Sequence, residues 1–592
     1  MASERTSPSL WAAALAALAL GSCATDSVRR FPLRDPLWLD PDVHPMAAPP
    51  TKTLTTHYAD PFDLMAFRPL SRALSVPVDG ESIDVNSLDE VPNSSWFENR
   101  IGQHPMTAAE IARGACGNAA SLDPAAGPWK VVSGKVDGAN PGLVIKAPDG
   151  QKYLVKLDGL LDTERGTTAD VIGSKIYYAA GYHVPCNEIV YFPESVVTVD
   201  ANAKRKDEHG QDVRLTRADV DLILSGGWRR PDRWIRGMAS RYITGAPLGP
   251  FRYEGLRADD PNDVVPHEKR RELRASMLFA AWIHHWDAIA NNTLDMFVDR
   301  PGGKHVVHYI LDWGDSLGAL WPKERLDQRV GLGRSGYFDF DFVLTDLVTL
   351  GLVPRPWYHV SPPPMPETFG YYGTESFVPS KWRPTYANPA FSQMTVRDGL
   401  WAARIIARFS DDDVAAIVRS AHMEDASAEA FLTKTLIARR DAILREYLGA
   451  HTPLDGFTLE RASAGAPQSL CFDDLAIATK VSDPATTMYR MHLHGGPDLD
   501  ALLGWRQLRP DPARPARTCV PLPFGHARPS DFVVPGARDD DPARYALIEI
   551  YSNARPSLHP TASVLVHLYD LGPDRGFRIV GLERPDELRD PP

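Results

Sequence analysis

The feature that most constrains the fold is a series of short strand patterns ending in a helix, between residues 129 and 182. Strand-like runs cover Trp129–Val136, Leu143–Ala147 and Lys152–Leu157, and turns rich in glycine, proline and aspartate separate them. A helix is predicted over Thr167–Tyr182, where Thr167 and Asp170 have the spacing of a capping box. Consecutive strands with short connections pair antiparallel, so this segment predicts an antiparallel sheet followed by a helix.

The alternation of strands and helices continues to about residue 450. Two more strands are predicted at Ile189–Phe192 and Trp234–Tyr242, and the charged stretch 198–230 between them is interpreted as an insertion. A helix from Pro266 to His285 is followed by a strand hairpin around Arg300–Lys304. Three further helices are predicted: Arg397–Arg408, Asp412–Ala421 and Glu429–Tyr447.

The segments on either side of this region lack its regular alternation of strands and helices. Residues 61–126 hold short apolar pieces and are interpreted as an irregular lead-in, whereas 455–592 alternates β-like runs with polar loops and predicts a β-rich domain. The 52 prolines among 592 residues favour ordered connections over idealised helices. The predicted fold class is α+β, with the β-rich domain last.

The N-terminus resembles a bacterial lipoprotein signal. Residues 10–20 are an unbroken apolar run, too short to span a membrane, and Gly21 and Ser22 precede Cys23 directly. The resemblance implies that residues 1–22 are a signal peptide and that Cys23 carries the lipid. It implies a cell-envelope location, with the outer membrane favoured, and a lipid bilayer as partner. The Pro-rich residues 23–60 are interpreted as a tether.

Charge argues against one class of partner. The chain has 64 basic and 76 acidic residues, a net charge of −12 with neutral histidines. A general nucleic-acid binder needs a basic surface to neutralise phosphates. Nucleic acid is therefore not an expected partner.

Four cysteines remain after Cys23: Cys116, Cys186, Cys471 and Cys519. Export permits disulfides, and the position of Cys471 and Cys519 in the same C-terminal region makes them an attractive pair. Buried free thiols are the alternative. No spacing typical of a structural zinc site occurs among them.

Aspartate and asparagine residues follow the predicted helix and the predicted hairpin. Asp287 is separated by four residues from Asn292, and the hairpin leads into Asp312-Trp313-Gly314. Lys156 lies on the third predicted strand. In this order the residues resemble the catalytic Asp/Asn and metal-binding Asp-Phe-Gly motifs of protein kinases, and the chain resembles the atypical bacterial HipA-type and CotH-type groups.

The resemblance implies a two-lobed protein-kinase-like core, with an antiparallel-sheet lobe at 127–245 and a helical lobe at 246–450. It also implies an ATP-dependent phosphotransferase that uses Mg²⁺ or Mn²⁺ and acts on an unknown acceptor. Asp287 would face the acceptor hydroxyl, Asn292 and Asp312 would ligate the metal, and Lys156 would contact the nucleotide phosphates. Three glycines, Gly134, Gly138 and Gly142, would let backbone amides approach phosphate. The carboxylate that pairs with Lys156 would be Asp170, shorter than the usual glutamate, with Glu164 as the other candidate.

Three other interpretations remain open from the sequence. The run Gly314–Gly318 matches the nucleophile elbow of a serine hydrolase, with Ser316 as nucleophile. His492 and His494 would share one face of a strand and could bind a metal, but a solvated pair is the favoured interpretation because no carboxylate or cysteine is nearby in sequence. A non-catalytic envelope scaffold with the same core is the alternative to an enzyme.

Overall fold

The computed structural model describes residues 29–53, 63–68, 70–71, 80–135, 142–160, 164–206, 211–318, 340–354, 359, 361, 363–461, 467–522, 538–553, 563–572 and 574–585. Gly138, Cys23 and the predicted signal peptide lie outside these residues. No helix in the described ranges is both long and apolar enough to cross a membrane.

Helices and strands alternate through the first part of the chain, and strands dominate the last part. The helices are α1 (Ala108–Arg113), α2 (Arg165–Ala180), α3 (Arg217–Ser225), α4 (Arg271–Ile283), α5 (Phe340–Thr349), α6 (Pro366–Phe369), α7 (Val396–Ile406), α8 (Asp411–Arg419), α9 (Ala426–Ala450) and α10 (Leu475–Ala478). The strands are β1 (Trp129–Lys135), β2 (Gly142–Lys146), β3 (Lys152–Leu157), β4 (Asn187–Phe192), β5 (Val197–Lys206), β6 (Asp212–Arg214), β7 (Ile235–Arg241), β8 (Ala246–Gly249), β9 (Thr293–Arg300), β10 (Gly303–Ile310), β11 (Leu454–Arg461), β12 (Gln468–Asp474), β13 (Met488–Gly495), β14 (Asp500–Leu508), β15 (Arg517–Pro521), β16 (Tyr545–Asn553), β17 (Val564–Asp570) and β18 (Phe577–Glu583). The α+β fold class is confirmed.

A seven-stranded sheet forms the first body, in the order β4-β7-β3-β2-β1-β5-β6. Its pairs are antiparallel except β1 and β5, which run parallel. Residues 198–230, interpreted as an insertion, are not a separate unit, since β5 and β6 extend the sheet itself. Helix α3 follows them and buries Val220 and Leu224 in the same apolar core. The charged residues of this stretch that the structure describes are exposed or half-buried.

The helical body is built around α4, whose residues are all buried. Helices α2, α7, α8 and α9 share its apolar core, which includes Trp282 and Trp401. Strands β9 and β10 form the predicted hairpin, and β8 pairs with β9 to complete a three-stranded sheet. His183, four residues before β4, bridges Tyr309 of β10, so the hairpin lies next to the seven-stranded sheet.

The beginning of α2 differs from the sequence prediction. The helix begins at Arg165, and Thr167, its third residue, forms hydrogen bonds with Asp158 and none of capping type with Asp170. The Asp158 carboxylate accepts the Thr167 backbone N–H at 2.8 Å and the hydroxyl at 2.6 Å. Asp158 directly follows β3, so the end of the strand caps the helix and Asp170 is left for another role.

The last part of the chain holds a three-stranded sheet and a five-stranded sheet, the latter in the order β14-β13-β16-β17-β18. Their facing sides bury a separate apolar core that includes Phe472, Met491 and Ile548. A disulfide joins Cys471 and Cys519 on neighbouring strands, and a second disulfide joins Cys116 to Cys186 just before β4. All four cysteines are therefore paired, and the alternative of buried free thiols is excluded.

The described part of the predicted tether is not a free spacer. Phe31 is buried against Tyr545, Tyr569 and Val580 of the C-terminal domain. Farther along, the Thr53 backbone N–H donates to a carbonyl oxygen of β8 at 2.6 Å. Residues 29–53 therefore run across the surface from the C-terminal domain to the hairpin sheet. Single apolar side chains and backbone groups hold them there, and no local sequence pattern predicts these contacts.

Buried ion pairs join the lead-in, the helical body and the C-terminal domain. Asp89 accepts hydrogen bonds from Arg271 of α4 at 2.6 Å and from Arg584 at 2.8 Å. Arg404 of α7 bonds Asp455 at 2.7 Å in the same cluster. Burial opposes ionisation, but the arginines outweigh it and lower the pKa of Asp89 to about 2. Each charge therefore depends on its partners to remain buried.

Removing Asp89 tests this junction. The Asp89→Ala variant leaves Arg271 and Arg584 buried without their main acceptor, so we expect the free energy of unfolding to fall by about 3–5 kcal/mol. Urea unfolding followed by tryptophan fluorescence measures it. The control is Asp539→Ala, which removes an exposed pair with Arg575 and is expected to leave the transition unchanged. Equal midpoints for the two variants would contradict the role given to Asp89.

Candidate functional site

The alternation of β3 places Lys156 beside a cleft. Tyr153, Val155 and Leu157 point into the apolar core of the sheet, whereas Leu154 and Lys156 point to the opposite face and line a cavity of about 640 Å³. Because successive strand residues face opposite sides of a sheet, the same alternation buries one set of side chains in the core and directs the Lys156 amine into the cavity.

Lys156 bridges two carboxylates from distant parts of the chain. Its Nζ lies 3.1 Å from Oδ2 of Asp170 on α2 and 2.6 Å from Oδ1 of Asp312 after β10. The side chains of Lys156 and Asp170 are nearly fully buried, while that of Asp312 is 39% exposed toward the cavity. The predicted pairing of Lys156 with Asp170 is present in the structure, in spite of the shorter side chain.

Asp170 reaches the lysine because α2 and the segment after β10 pack very closely. The other oxygen of Asp170 accepts the Trp313 backbone N–H at 2.8 Å. Trp313 is fully buried against Gly173, where a Cβ atom would lie 2.3 Å from the indole Cγ. Gly173 is thus a site-forming residue that the sequence analysis did not single out, and a glycine inside a predicted helix was the available signal.

Glu164, the other candidate partner of Lys156, performs a different role. Its carboxylate accepts the Glu424 backbone N–H at 3.0 Å and lies 3.5 Å from Arg236. Arg236 also donates to the Ala421 carbonyl oxygen at 2.7 Å, at the end of α8. Glu164 and Arg236 therefore connect the sheet to the helical body and leave the lysine to Asp170.

Asp312 is held in an unusual backbone conformation. Its φ of 59° is in the left-handed region, which costs a non-glycine residue energy and is common where surrounding contacts determine the backbone. Arg165 supports the following turn by donating to the carbonyl oxygens of Gly314 and Ser316 at 3.1 and 2.9 Å. Burial lowers the pKa of the neighbouring His285 to about 4, so this imidazole is neutral at pH 7.

Asp287 and Asn292 form the second part of the site. The amide nitrogen of Asn292 donates to the Asp287 carboxylate at 2.9 Å and to its backbone oxygen at 2.8 Å. The Asn292 backbone oxygen accepts the Leu311 N–H at 2.9 Å, which ties this loop to the residue before Asp312. The hairpin thus brings Asn292 and Asp312 to one wall of the cavity.

Acidic side chains predominate directly around the amine of Lys156 and at Asp287. Burial and the neighbouring Asp315 and Asp312 raise the pKa of Asp287 to about 7. Burial also raises the pKa of Asp170, which Lys156 opposes. On Lys156 burial disfavours the charged form, but the two carboxylates prevail and raise its pKa. An arrangement of several acids around one amine favours the binding of a further cation.

Most of the cavity wall comes from residues that no motif indicated. Met238, Ser240 and Tyr242 belong to β7 or follow it, and Met296 and Leu311 contribute apolar surface from the hairpin. Lys152 and Arg241 add positive charge. The volume and the mixture of apolar wall and a few polar groups are typical of a small-molecule site. Only the sheet order, which places β7 beside β3, reveals this wall.

The predicted glycines do not line this cavity in the described part of the chain. Gly134 faces the side chains of Ile223 and Leu215, which a Cβ atom would approach to 3.2 and 3.3 Å. Gly142 lies on β2 opposite Lys156 in the strand register. Gly138 falls outside the described residues. The structure therefore gives Gly134 a packing role rather than a place at the cavity.

The serine-hydrolase interpretation fails on geometry. Ser316 is fully buried, and its hydroxyl forms no hydrogen bond with any residue that the structure describes. A nucleophilic serine needs an adjacent base and access for the substrate. Its backbone instead takes part in the turn after Asp312, where the Ser316 N–H donates to the Trp313 oxygen.

No protein-family model and no curated protein matches the chain. Three of the solved structures to which the chain is similar are kinases. The Helicobacter pylori proinflammatory kinase CtkA shares 14% identity at a TM-score of 0.28, over 56% of this chain and 96% of that chain. The Golgi casein kinase with Mn and ADP bound shares 10% identity at 0.27, over 69% and 93%. The Rio2 kinase of Chaetomium thermophilum shares 12% identity at 0.19, over 53% and 72%.

Proposed function

We infer that this protein is an atypical kinase-like phosphotransferase that binds ATP with Mg²⁺ or Mn²⁺ in the cavity beside Lys156. The observation that carries the proposal is the convergence of Lys156, Asp170 and Asp312 on one wall, with Asp287 and Asn292 directly beside them. These five residues come from a strand, a helix, a loop and the end of a hairpin. Structural ion pairs alone do not require the second acid–amide pair next to the first.

The side chains fit the groups that phosphoryl transfer needs. Asp312 offers a partly exposed carboxylate and Asn292 an amide oxygen, which are the hard oxygen ligands that Mg²⁺ and Mn²⁺ prefer. When bound, the metal would neutralise phosphate charge. Lys156 would hold nucleotide phosphate oxygens, and the apolar wall formed by Met238, Met296 and Leu311 would pack against the base.

Asp287 is suited to the acceptor side of the reaction. Its carboxylate is fixed by Asn292, and its raised pKa makes it a better proton acceptor than an ordinary aspartate. It would orient the acceptor hydroxyl and take its proton as the phosphoryl group transfers. Asp170 has no direct part in this step, since it orients Lys156 and the Trp313 backbone.

We place this activity in the cell envelope. The signal-like run that ends at Cys23 favours export and lipid anchoring to a bilayer, with the outer membrane preferred. Two disulfides, Cys116–Cys186 and Cys471–Cys519, support an oxidising compartment. The acceptor would then be a molecule of the envelope. The alternative is an envelope scaffold that keeps the same fold without transferring phosphate.

Nucleotide binding should depend on Asp312. We expect ATP with Mg²⁺ or Mn²⁺ to raise the melting temperature of residues 24–592, since a ligand at about 100 times its Kd adds about 2.7 kcal/mol. Asp312→Asn should abolish the metal-dependent part of the shift because it removes a ligand charge. Asp299→Asn, at the exposed far end of the same hairpin, is the control and should respond like the wild type. Absence of any nucleotide shift in the wild type would contradict the proposal.

Transfer should depend on Asp287 more than binding does. Phosphate incorporation from labelled ATP into the protein itself, or slow ATP hydrolysis, is the readout. Asp287→Asn keeps the shape and the Asn292 contact but removes the proton acceptor, so we expect a loss of about 10²–10⁴-fold in rate with the melting shift by ATP retained. Equal rates for Asp287→Asn and the Asp299→Asn control would contradict the role of Asp287. Binding without transfer in the wild type would favour the scaffold.

A further inference from the structure

A second cluster of chemistry-bearing side chains lies far along the chain, on the five-stranded sheet of the C-terminal domain. His492 and His494 occupy alternate positions on β13 and therefore share one face. Their neighbours Met491 and Leu493 point to the other face and are buried in the apolar core. The two histidines thus lie on the face of the sheet that turns away from this core.

The strand register supplies the carboxylate that the local sequence lacks. Glu549 on β16 lies directly opposite His492 in the antiparallel pair. One potential ligand atom from each of His492, His494 and Glu549 lies within 4.8 Å of the others. Glu549 Oε2 is 3.9 Å from Nε2 of His494. Zinc bonds of about 2.0–2.2 Å require ligand atoms slightly closer than this, a change that side-chain torsions can provide.

Neighbouring side chains hold the three groups in place. The indole of Trp505 stacks on His492 with ring centroids 4.8 Å apart, and Arg490 lies over that indole. Tyr551 donates its hydroxyl to Oε1 of Glu549 at 2.8 Å. A hydrogen bond to one carboxylate oxygen leaves the other directed toward His494, which is the arrangement that metal-ligating carboxylates commonly have.

Two other clusters in the described residues bring three potential ligands together, and both are chemically different. One consists of Cys116, Cys186 and Glu188, and the other of Glu460, Cys471 and Cys519. In each the two sulfurs are joined in a disulfide, so no thiolate is present to bind a metal. The cluster of His492, His494 and Glu549 keeps all three of its ligands in a form that can coordinate.

We propose that His492, His494 and Glu549 bind a divalent transition-metal ion of the zinc class. Two imidazoles and one carboxylate are a common protein ligand set for such ions and leave a further coordination position for water or a partner group. The site is independent of the proposed nucleotide cavity, since its residues belong to the C-terminal domain. Metal bound there would link β13 to β16 in addition to the strand hydrogen bonds.

Zinc titration of metal-free protein tests the proposal. Residues 24–592, stripped with a chelator that is then removed, are titrated with Zn²⁺ against a chromophoric zinc indicator. The Asp312→Asn background removes the metal ligand of the nucleotide cavity, so zinc held there is excluded. We expect one equivalent of tightly bound zinc in this background, and affinity lowered more than about tenfold by His494→Ala and by Glu549→Gln.

The controls separate ligation from folding. Glu549→Gln preserves the shape of the side chain, and the melting temperature without zinc should stay near that of its parent. His104→Ala removes an exposed histidine elsewhere and should retain the zinc. Zinc should raise the melting temperature of the parent and not of Glu549→Gln. Equal zinc affinity in His104→Ala, His494→Ala and Glu549→Gln, or no tight zinc in the Asp312→Asn background, would overturn the proposal.

Discussion

The buried amine of Lys156 is the point on which the site depends. Burying an ammonium group costs free energy unless carboxylates pair with it. Asp170, on a helix, and Asp312, at the end of a hairpin, are these partners of Lys156. Those contacts set the position of α2 against β3 and the backbone of Asp312. The same requirement explains the tight packing of Trp313 on Gly173, because a bulkier helix residue would separate Asp170 from the amine. The ion pairs of Lys156 and the packing of Trp313 on Gly173 therefore favour the same position of α2.

Contacts outside the cleft connect the seven-stranded sheet, the helical body and the C-terminal domain. Arg236 and Glu164 join the sheet to the helices, and Asp89 joins the helices to the C-terminal domain through Arg271 and Arg584. Residues 29–53 cross the outside and contact both the C-terminal domain and the hairpin sheet. These are long-range contacts between single residues. They add to the apolar core that the helices share with Met238 of the sheet and Leu475 of the C-terminal domain, and the two disulfides add covalent limits on the unfolded chain.

Local patterns in the sequence predicted the parts of the structure that local physics determines. The alternation of residues 152–157 and the hairpin turn near Gly302 gave the strands, and the order of Lys156, Asp287, Asn292 and Asp312 gave the residues that come together. Where the determining contact was distant in sequence, prediction failed. The cap of α2 comes from Asp158, residues 29–53 pack on the C-terminal domain, and the pairing of β5 with β1 has no local signal. The carboxylate beside His492 lies on another strand, which only the register reveals.

A crystal structure of the protein with Mn²⁺ and a non-hydrolysable ATP analogue would test the central claim most directly. The account predicts an anomalous manganese peak about 2.0–2.2 Å from side-chain oxygens of Asp312 and Asn292, with a phosphate oxygen at Nζ of Lys156 and the base against Met238. A nucleotide bound elsewhere, or a cavity that stays free of manganese at saturating concentrations while Lys156 still bridges both acids, would contradict it.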